Sequence, residues 1–358
     1  MTGVVTAAGL VIAGNHPEDD PAAGLAETLR VFSFAEGLGY DVAGVRQRHL
    51  ERGVSSALPF LAAASQRTTR IALETDVVPL GYENPFRLAE DFATVDALSG
   101  GRVHVGVSSS APHAGLLAPL TRPDIDTATD PYALIGRFLT ALEGRPLADE
   151  PIATPYGPQI PRIQPHVPGL RERVWLGGGS IRSVRWAAER GLHLLLGNVG
   201  DGEVADDFEA AQHIHVELYR SAFAGADAPR IGVERVILPT DSATAAQRAH
   251  YADYAASREE RTRRPVSHGT RKVVFQRDLH GTSDEIVERL AHDPTFAAGA
   301  ELRVALPYAF AEDEYRQILS DVRHAVLPRL GWSPGGAAGA ASGAAPDARR
   351  PAGTTSVA

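Results

Sequence analysis

Residues 70 to 110 constrain the fold more tightly than any other stretch, because they read strand, helix and strand joined by short loops. Arg70 to Val78 is an apolar-rich run with Ile71, Leu73, Val77 and Val78, interrupted by Glu74, Thr75 and Asp76. Asn84 offers a side-chain oxygen to cap a helix, and Pro85 suits the first helical position, where its missing N–H costs nothing. Leu88, Ala89, Phe92, Val95 and Leu98 recur at helical spacing, and Ser99, Gly100 and Gly101 end the helix. Val103, Val105 and Val107 form a second strand that breaks at Ser108, Ser109 and Ser110. Two strands linked by a crossover helix pair in parallel. Acids inside such a buried strand need a reason.

The same alternation extends in both directions. Val4 to Ala13 is a first strand, Leu25, Leu29 and Phe32 mark a helix ended by Gly37 and Gly39, and Tyr40 to Val45 is a second strand. Ser55 or Ser56 opens a helix carrying Leu58, Leu61, Ala62 and Ser65. Beyond Ser110, residues 111 to 130 lack periodicity and a helix follows from Pro131 to Leu142. Residues 144 to 170 are crowded with proline and read as a long excursion with at most a small hairpin, a kind of segment that is usually functional. Arg173 to Gly177 and Leu192 to Leu196 are strands five and six, around a helix from Ile181 to Arg190. A helix around Gly202 to Phe223, a strand from Ile231 to Leu238 and a charged helix from Ser242 to Arg263 come next. Leu302, Val304 and Leu306 give strand eight, and Tyr315, Ile318, Leu319, Val322 and Val326 the last helix. Eight strand–helix units predict an α/β fold, a (β/α)8 TIM barrel over residues 1–332, with insertions in the loops after strands 4 and 7. Gly, Ala, Ser and Pro dominate residues 333–358, which are expected to be a disordered, low-complexity tail.

Composition removes several functions. Zero cysteines exclude disulfides, thiolate metal sites and cysteine nucleophiles. A net charge of −9 argues against a nucleic-acid surface, and the basic run Arg258 to Arg264, broken by Glu259 and Glu260, reads as a solvated helix face. His213 and His215, two apart on a predicted helix, face different ways, so no metal pair is expected. With no basic leader and no long apolar run, a soluble cytoplasmic protein without a membrane segment is expected.

In a barrel of this kind the carboxyl ends of the strands build the site. They gather Asn15 and His16, Arg46 to His49, Glu74 to Asp76, Ser108 to Ser110, Gly177 to Ser180, Gly197 and Asn198, and Pro307 and Tyr308. His16 and Tyr308 are loop-end polar groups that could reach a substrate or simply cap a strand. The best-defined element is Gly177, Gly178, Gly179 and Ser180 opening a helix, with Ser183 one turn on. Glycines let backbone N–H groups approach an anion, the helix start is partially positive, and both hydroxyls can donate, so a phosphate is the natural guest. A glycine-rich strand end merely capped by Ser180 is the plainer alternative. The dinucleotide fingerprint fits badly, because Arg182 stands where its third glycine belongs.

Two segments carry a resemblance. NPFRLAEDFATVDALSGGRVHVGV, residues 84–107, and RVWLGGGSIRSVRWAAERGLHLLLGN, residues 173–198, resemble the bacterial luciferase-like flavin monooxygenase superfamily. The resemblance implies reduced FMN and O2 oxygenating a small organic substrate, with a possible separate flavin reductase and a homodimer. It places the flavin phosphate at Gly178, Gly179, Ser180 and Ser183. Ser108 and Ser109 stand where relatives carry a small residue and an arginine, so either the phosphate is held by neutral donors and another cation, for which Arg182 and Arg185 are candidates by proximity, or the cofactor is bound weakly, as would suit an enzyme that borrows reduced flavin from a separate reductase. Thr75, Asp76 and Val77 match a strand end where the family has a bulge or a non-proline cis peptide under the flavin ring, with Asp76 able to bond flavin or substrate or to pair with an arginine. Arg48 and His49 fall where many members carry two histidines. His49 matches the second, and Arg48 can stabilise negative charge but cannot take a proton. Catalytic candidates are therefore His49, Arg48 and Asp76, with a buried structural role equally open to His49. Two further readings stand beside this one: a deazaflavin-dependent oxidoreductase on the same fold, and a non-enzymatic flavin-binding barrel.

Overall fold

The computed structural model describes residues 5–109, 130–268, 271–308 and 310–335. Ser110, most of the 111–130 stretch and the expected tail from 336 onward lie outside the described residues. The strands of the barrel are β1 (Ala8–Ile12), β2 (Val42–Val45), β3 (Ala72–Thr75), β4 (Val103–Ser108), β5 (Val174–Gly178), β6 (His193–Leu196), β7 (Ile231–Arg235) and β8 (Glu301–Ala305). Each pairs in parallel with its sequence neighbours, and β8 returns to β1 through Ala8 opposite Leu302, so the sheet closes. The expected TIM barrel is the fold.

Helices cover it: α1 (Pro21–Leu38), α2 (Ala57–Ser65), α3 (Pro85–Ser99), α4 (Pro131–Leu142), α5 (Ile181–Glu189), α6 (Phe208–Ala222), α7 (Ala245–Glu259), α8 (Ser283–His292) and α9 (Glu312–Asp321). In α3 the Asn84 side chain accepts from the N–H groups of Phe86 and Arg87, and Gly100, at φ 73°, ends the helix in the left-handed region where glycine costs least. Its buried stripe runs through Leu88, Ala89, Phe92 and Val95, while Leu98, expected to share it, is 57% exposed.

Much of the family-like motif after α3 is structural. Asp96, buried, takes two 2.7 Å bonds from Arg173 at the foot of β5 and one from the Val103 N–H at the foot of β4. Arg102 donates to the carbonyls of Ser65, Thr68, Ile71 and Ser99, closing the chain turns below α2 and β3. Gly106 is required by close approach, since a Cβ there would lie 1.7 Å from the Thr75 carbonyl oxygen.

The barrel interior is not uniformly apolar. Arg303, fully buried, bonds Glu74 through Nε at 2.8 Å and Nη2 at 3.0 Å, and Glu301 at 3.0 Å. His104 approaches Glu74 at 3.3 Å, and Trp175 stacks between the rings of His104 and His193. Glu74 thus has its reason: the arginine beside it holds its pKa down to about 2 despite burial.

Three expected elements change shape. The seventh strand stops at Arg235 and resumes as Ile237–Pro239, which pairs with Leu279–Gly281. The helix expected from Gly202 begins only at Phe208, where Asp207 caps it, and Val199–Asp201 before it is a strand. The charged helix is shorter, Ala245–Glu259, because Thr244 and Gln247 close a capping box at its start. The insertion after β7 folds back over the barrel mouth as strands Val266–His268 and Arg271–Phe275, the second antiparallel to Val199–Asp201. The proline-rich excursion contains the small hairpin Ile152–Thr154 with Gly157–Gln159. Among the described residues no helix is long and apolar enough to cross a membrane.

Candidate active site

The carboxyl ends of the strands enclose a cavity of about 560 Å³. Its described lining comes from β2 (Arg46), β3 (Asp76, Val77), β4 (Ser108, Ser109), the β5 turn (Gly177 to Ser183), and, beyond them, Gly197, Glu234 and Arg271.

One end is the glycine turn. A Cβ on Gly178 would meet Leu194 Cδ1 at 2.8 Å, so any side chain there would have to push Leu194 aside. Ser180 caps α5 by accepting from the Ser183 N–H, while Ser183 Oγ accepts from the N–H groups of Gly179 and Ser180, both at 3.1 Å. The Ser183 hydroxyl donates to the Ser180 carbonyl at 2.9 Å and lies 3.1 Å from the Ser180 hydroxyl, so the two side chains and the N–H groups of the turn form one network from which the Ser180 hydroxyl can turn to a guest.

The other end is charged. Arg46 is ion-paired with Glu234, itself 5% exposed. Asp76 is 6% exposed, and its Oδ2 is buried without a hydrogen-bond partner. Burial pushes its pKa well above the carboxylate range, helped by the charges of Glu234 and Glu74 and opposed by Arg46 and Arg303. The Asp76 carboxyl therefore resists ionisation where an ordinary aspartate loses its proton, and the residue forms part of the cavity wall. The Asp76–Val77 peptide is cis, the non-proline form expected as one of two possibilities at this strand end.

Of the residues expected from the sequence, Asp76, Ser108, Ser109, Gly178, Gly179, Ser180 and Ser183 meet around the one cavity. Thr75 sits behind it, fully buried, with its hydroxyl bonded to Gly106 on both sides, donating at 2.7 Å and accepting at 2.9 Å. Arg48 and His49 do not line it. Arg48 is exposed and donates to the Tyr308 hydroxyl at 3.3 Å, and His49 packs against the Tyr82 ring and approaches Gln47. Of the two candidate cations, Arg182 reaches the cavity but Arg185 points to solvent on α5. Sequence reasoning missed Glu234 and Arg271. The first had a signal, a Glu-Arg pair inside an otherwise apolar strand, of the kind read correctly at Glu74 to Asp76. The second had none.

A closed parallel barrel whose cavity opens at the carboxyl ends of its strands defines the class, a (β/α)8-barrel enzyme. Within it, the chain belongs to the luciferase-like monooxygenase family, whose description matches residues 6–301. A 4-hydroxyprotoasukamycin monooxygenase from Streptomyces nodosus subsp. asukaensis is 35% identical over 99 residues, 27% of each chain. The match to two further curated relatives spans 63% of their length. The same fold recurs in the oxygenating constituent of 3,6-diketocamphane monooxygenase from Pseudomonas putida, solved with FMN (TM-score 0.64, 13% identity, 92% of this chain and 99% of that one). It recurs also in a coenzyme F420-dependent tetrahydromethanopterin reductase from Methanopyrus kandleri (TM-score 0.61, 15% identity, 91% and 100%).

Proposed function

We propose that the protein is a flavin-dependent monooxygenase that uses reduced FMN and O2 to oxygenate a small organic substrate. The observation that carries this is a single cavity joining the serine-capped glycine turn to Asp76, whose Oδ2 has no hydrogen-bond partner. Family membership and the FMN-bound neighbour support it. The donor set fits a flavin: the Ser180 hydroxyl, the α5 start and the side chains of Ser108 and Ser109 suit a phosphate, and the orphaned Asp76 oxygen suits the polar edge of a heterocycle. Bound FMN would supply the electrons with which O2 is activated.

The chain's own residues do the rest. Ser180, Ser108 and Ser109 hold the phosphate, Ser183 braces the turn that presents Ser180, and Asp76 faces ring or substrate. The Arg46–Glu234 pair fixes the charge beside Asp76, so that the two carboxyls and one guanidinium balance with a single proton. The strands carrying Val199 and Arg271 roof the mouth and limit water. By the resemblance, a separate reductase delivers reduced flavin and the chain works as a homodimer.

Supplying the pure protein with FMN, a flavin reductase, NADH and labelled O2 tests the reading by incorporation of label into candidate substrates. Lack of any labelled product, together with tighter binding of a deazaflavin than of FMN, would favour hydride transfer with a deazaflavin coenzyme, a chemistry the F420-dependent neighbour shows this fold can house.

A further inference from the structure

We propose that Arg271, on the insertion after β7, is the cation that binds the coenzyme phosphate, in place of the arginine missing after β4. This rests on the reading of the cavity as a coenzyme site.

Three of the described residues lining the cavity are cationic: Arg46, Arg182 and Arg271. Arg46 is committed to Glu234 at the far end. Arg182 is held by Asp130 at 2.8 Å and lies over the Tyr132 ring, 4.4 Å from its centroid. Arg271 differs. Its Nη2 donates to the Gly179 carbonyl at 2.7 Å, which fixes the guanidinium across the glycine turn, one residue from Ser180. The nearest described carboxylate, Asp201, is 3.9 Å away, beyond hydrogen-bond reach. Asp201 therefore acts on Arg271 only through charge, most of the guanidinium N–H donors have no described hydrogen-bond acceptor, and the group is anchored one residue from Ser180.

The backbone explains how a residue so distant in sequence arrives there. Val273 pairs with Asp201 and Phe275 with Val199, so the strand starting at Arg271 is laid beside the segment that leaves β6 and reaches the β5 turn next door. A guanidinium anchored through one nitrogen keeps its fork for a phosphate, which is the geometry in which arginine outperforms lysine. In a chain of net charge −9, attraction of a phosphate has to be local.

Fluorescence-anisotropy titration of the full chain with FMN and with riboflavin, which has the same ring and no phosphate, separates the roles. Arg271→Ala is expected to weaken FMN binding by about tenfold or more, to leave riboflavin binding unchanged, and so to erase the wild-type preference for FMN. Arg182→Ala, whose guanidinium is already paired, should change FMN affinity by less than about threefold. If Arg271→Ala keeps the preference, or weakens both ligands alike, the assignment is overturned while the coenzyme reading stands. If the wild-type chain binds neither flavin, both fall together.

Discussion

Replacing Asp76 with Asn preserves the side chain's shape and removes its titration, which turns the buried acid into a measurable slope. Burial and the neighbouring carboxylates raise the folded-state pKa of Asp76. In the unfolded chain the value is about 3.9. Between the two, the unfolded chain has released a proton that the folded chain keeps. Stability then falls as pH rises, by about 1.4 kcal/mol per pH unit for one retained proton. Below about pH 4 both states hold the proton and the slope vanishes. Asp76→Asn lacks this contribution, so its stability relative to wild type should grow by about 1.4 kcal/mol per unit from about pH 4 up to the folded pKa and stay level above it. Urea unfolding followed by tryptophan fluorescence, at unit steps from about pH 4.5 to about pH 8, reads the difference directly; Trp175 is buried in the barrel interior. Parallel profiles for the two proteins would refute the reasoning, since they would mean that Asp76 ionises in the fold as it does in the unfolded chain. Asn also offers an N–H donor, so flavin affinity should stay within about threefold while turnover drops by about a hundredfold or more if the proton itself is used.

Glu74→Gln should cost about 3 kcal/mol at neutral pH by leaving fully buried Arg303 with Glu301 as its remaining carboxylate partner. Because the Glu74 pKa is lowered to about 2, that contribution is complete above the unfolded value and fades as pH falls toward 2, so urea midpoints of variant and wild type should converge in acid. Gly106→Ala places a methyl 1.7 Å from the Thr75 carbonyl oxygen and should lose more than about 3 kcal/mol or fail to fold; a wild-type midpoint would contradict the close approach. Asp96→Asn, which removes the carboxylate charge and turns one of the two acceptors for Arg173 into a donor facing it, should cost about 2 kcal/mol or more by the same assay, with flavin affinity of the folded protein unchanged.

The barrel was legible because strands buried on both faces must be near-continuous apolar runs, and β1, β4, β5 and β6 obey that rule. The glycine turn was legible because its residues are adjacent in sequence and act together. Arg271 obeys neither condition. Its strand opens on the two cations Arg271 and Lys272 and keeps only three apolar residues, Val273 to Phe275, and the strands on either side of it, Val199–Asp201 and Val266–His268, are three residues long each. Only strand pairing links it to Gly179. Arg48 and His49 show the converse: adjacent residues at the right strand end, yet turned out of the cavity toward Tyr308 and Tyr82.

Glu74 and Asp76 show what separates a buried charge that holds a fold together from one that serves a site. They are two residues apart at the end of one strand, both nearly inaccessible, and the sequence raises the same question about each. Glu74 is answered within the barrel, where Arg303 takes both its oxygens and depresses its pKa. Asp76 is left with one oxygen unmet and a pKa driven upward by burial and by the charges of Glu234 and Glu74, while Arg46, the guanidinium on its side of the barrel, is bonded to Glu234. An unmet buried polar atom costs about 1–3 kcal/mol, so such a group is destabilising until a ligand completes it. The structure leaves that deficit at the cavity wall, opposite the turn that Arg271 guards. A ligand with an acceptor for Asp76 at one end and an anion for the glycine turn at the other would relieve both ends at once.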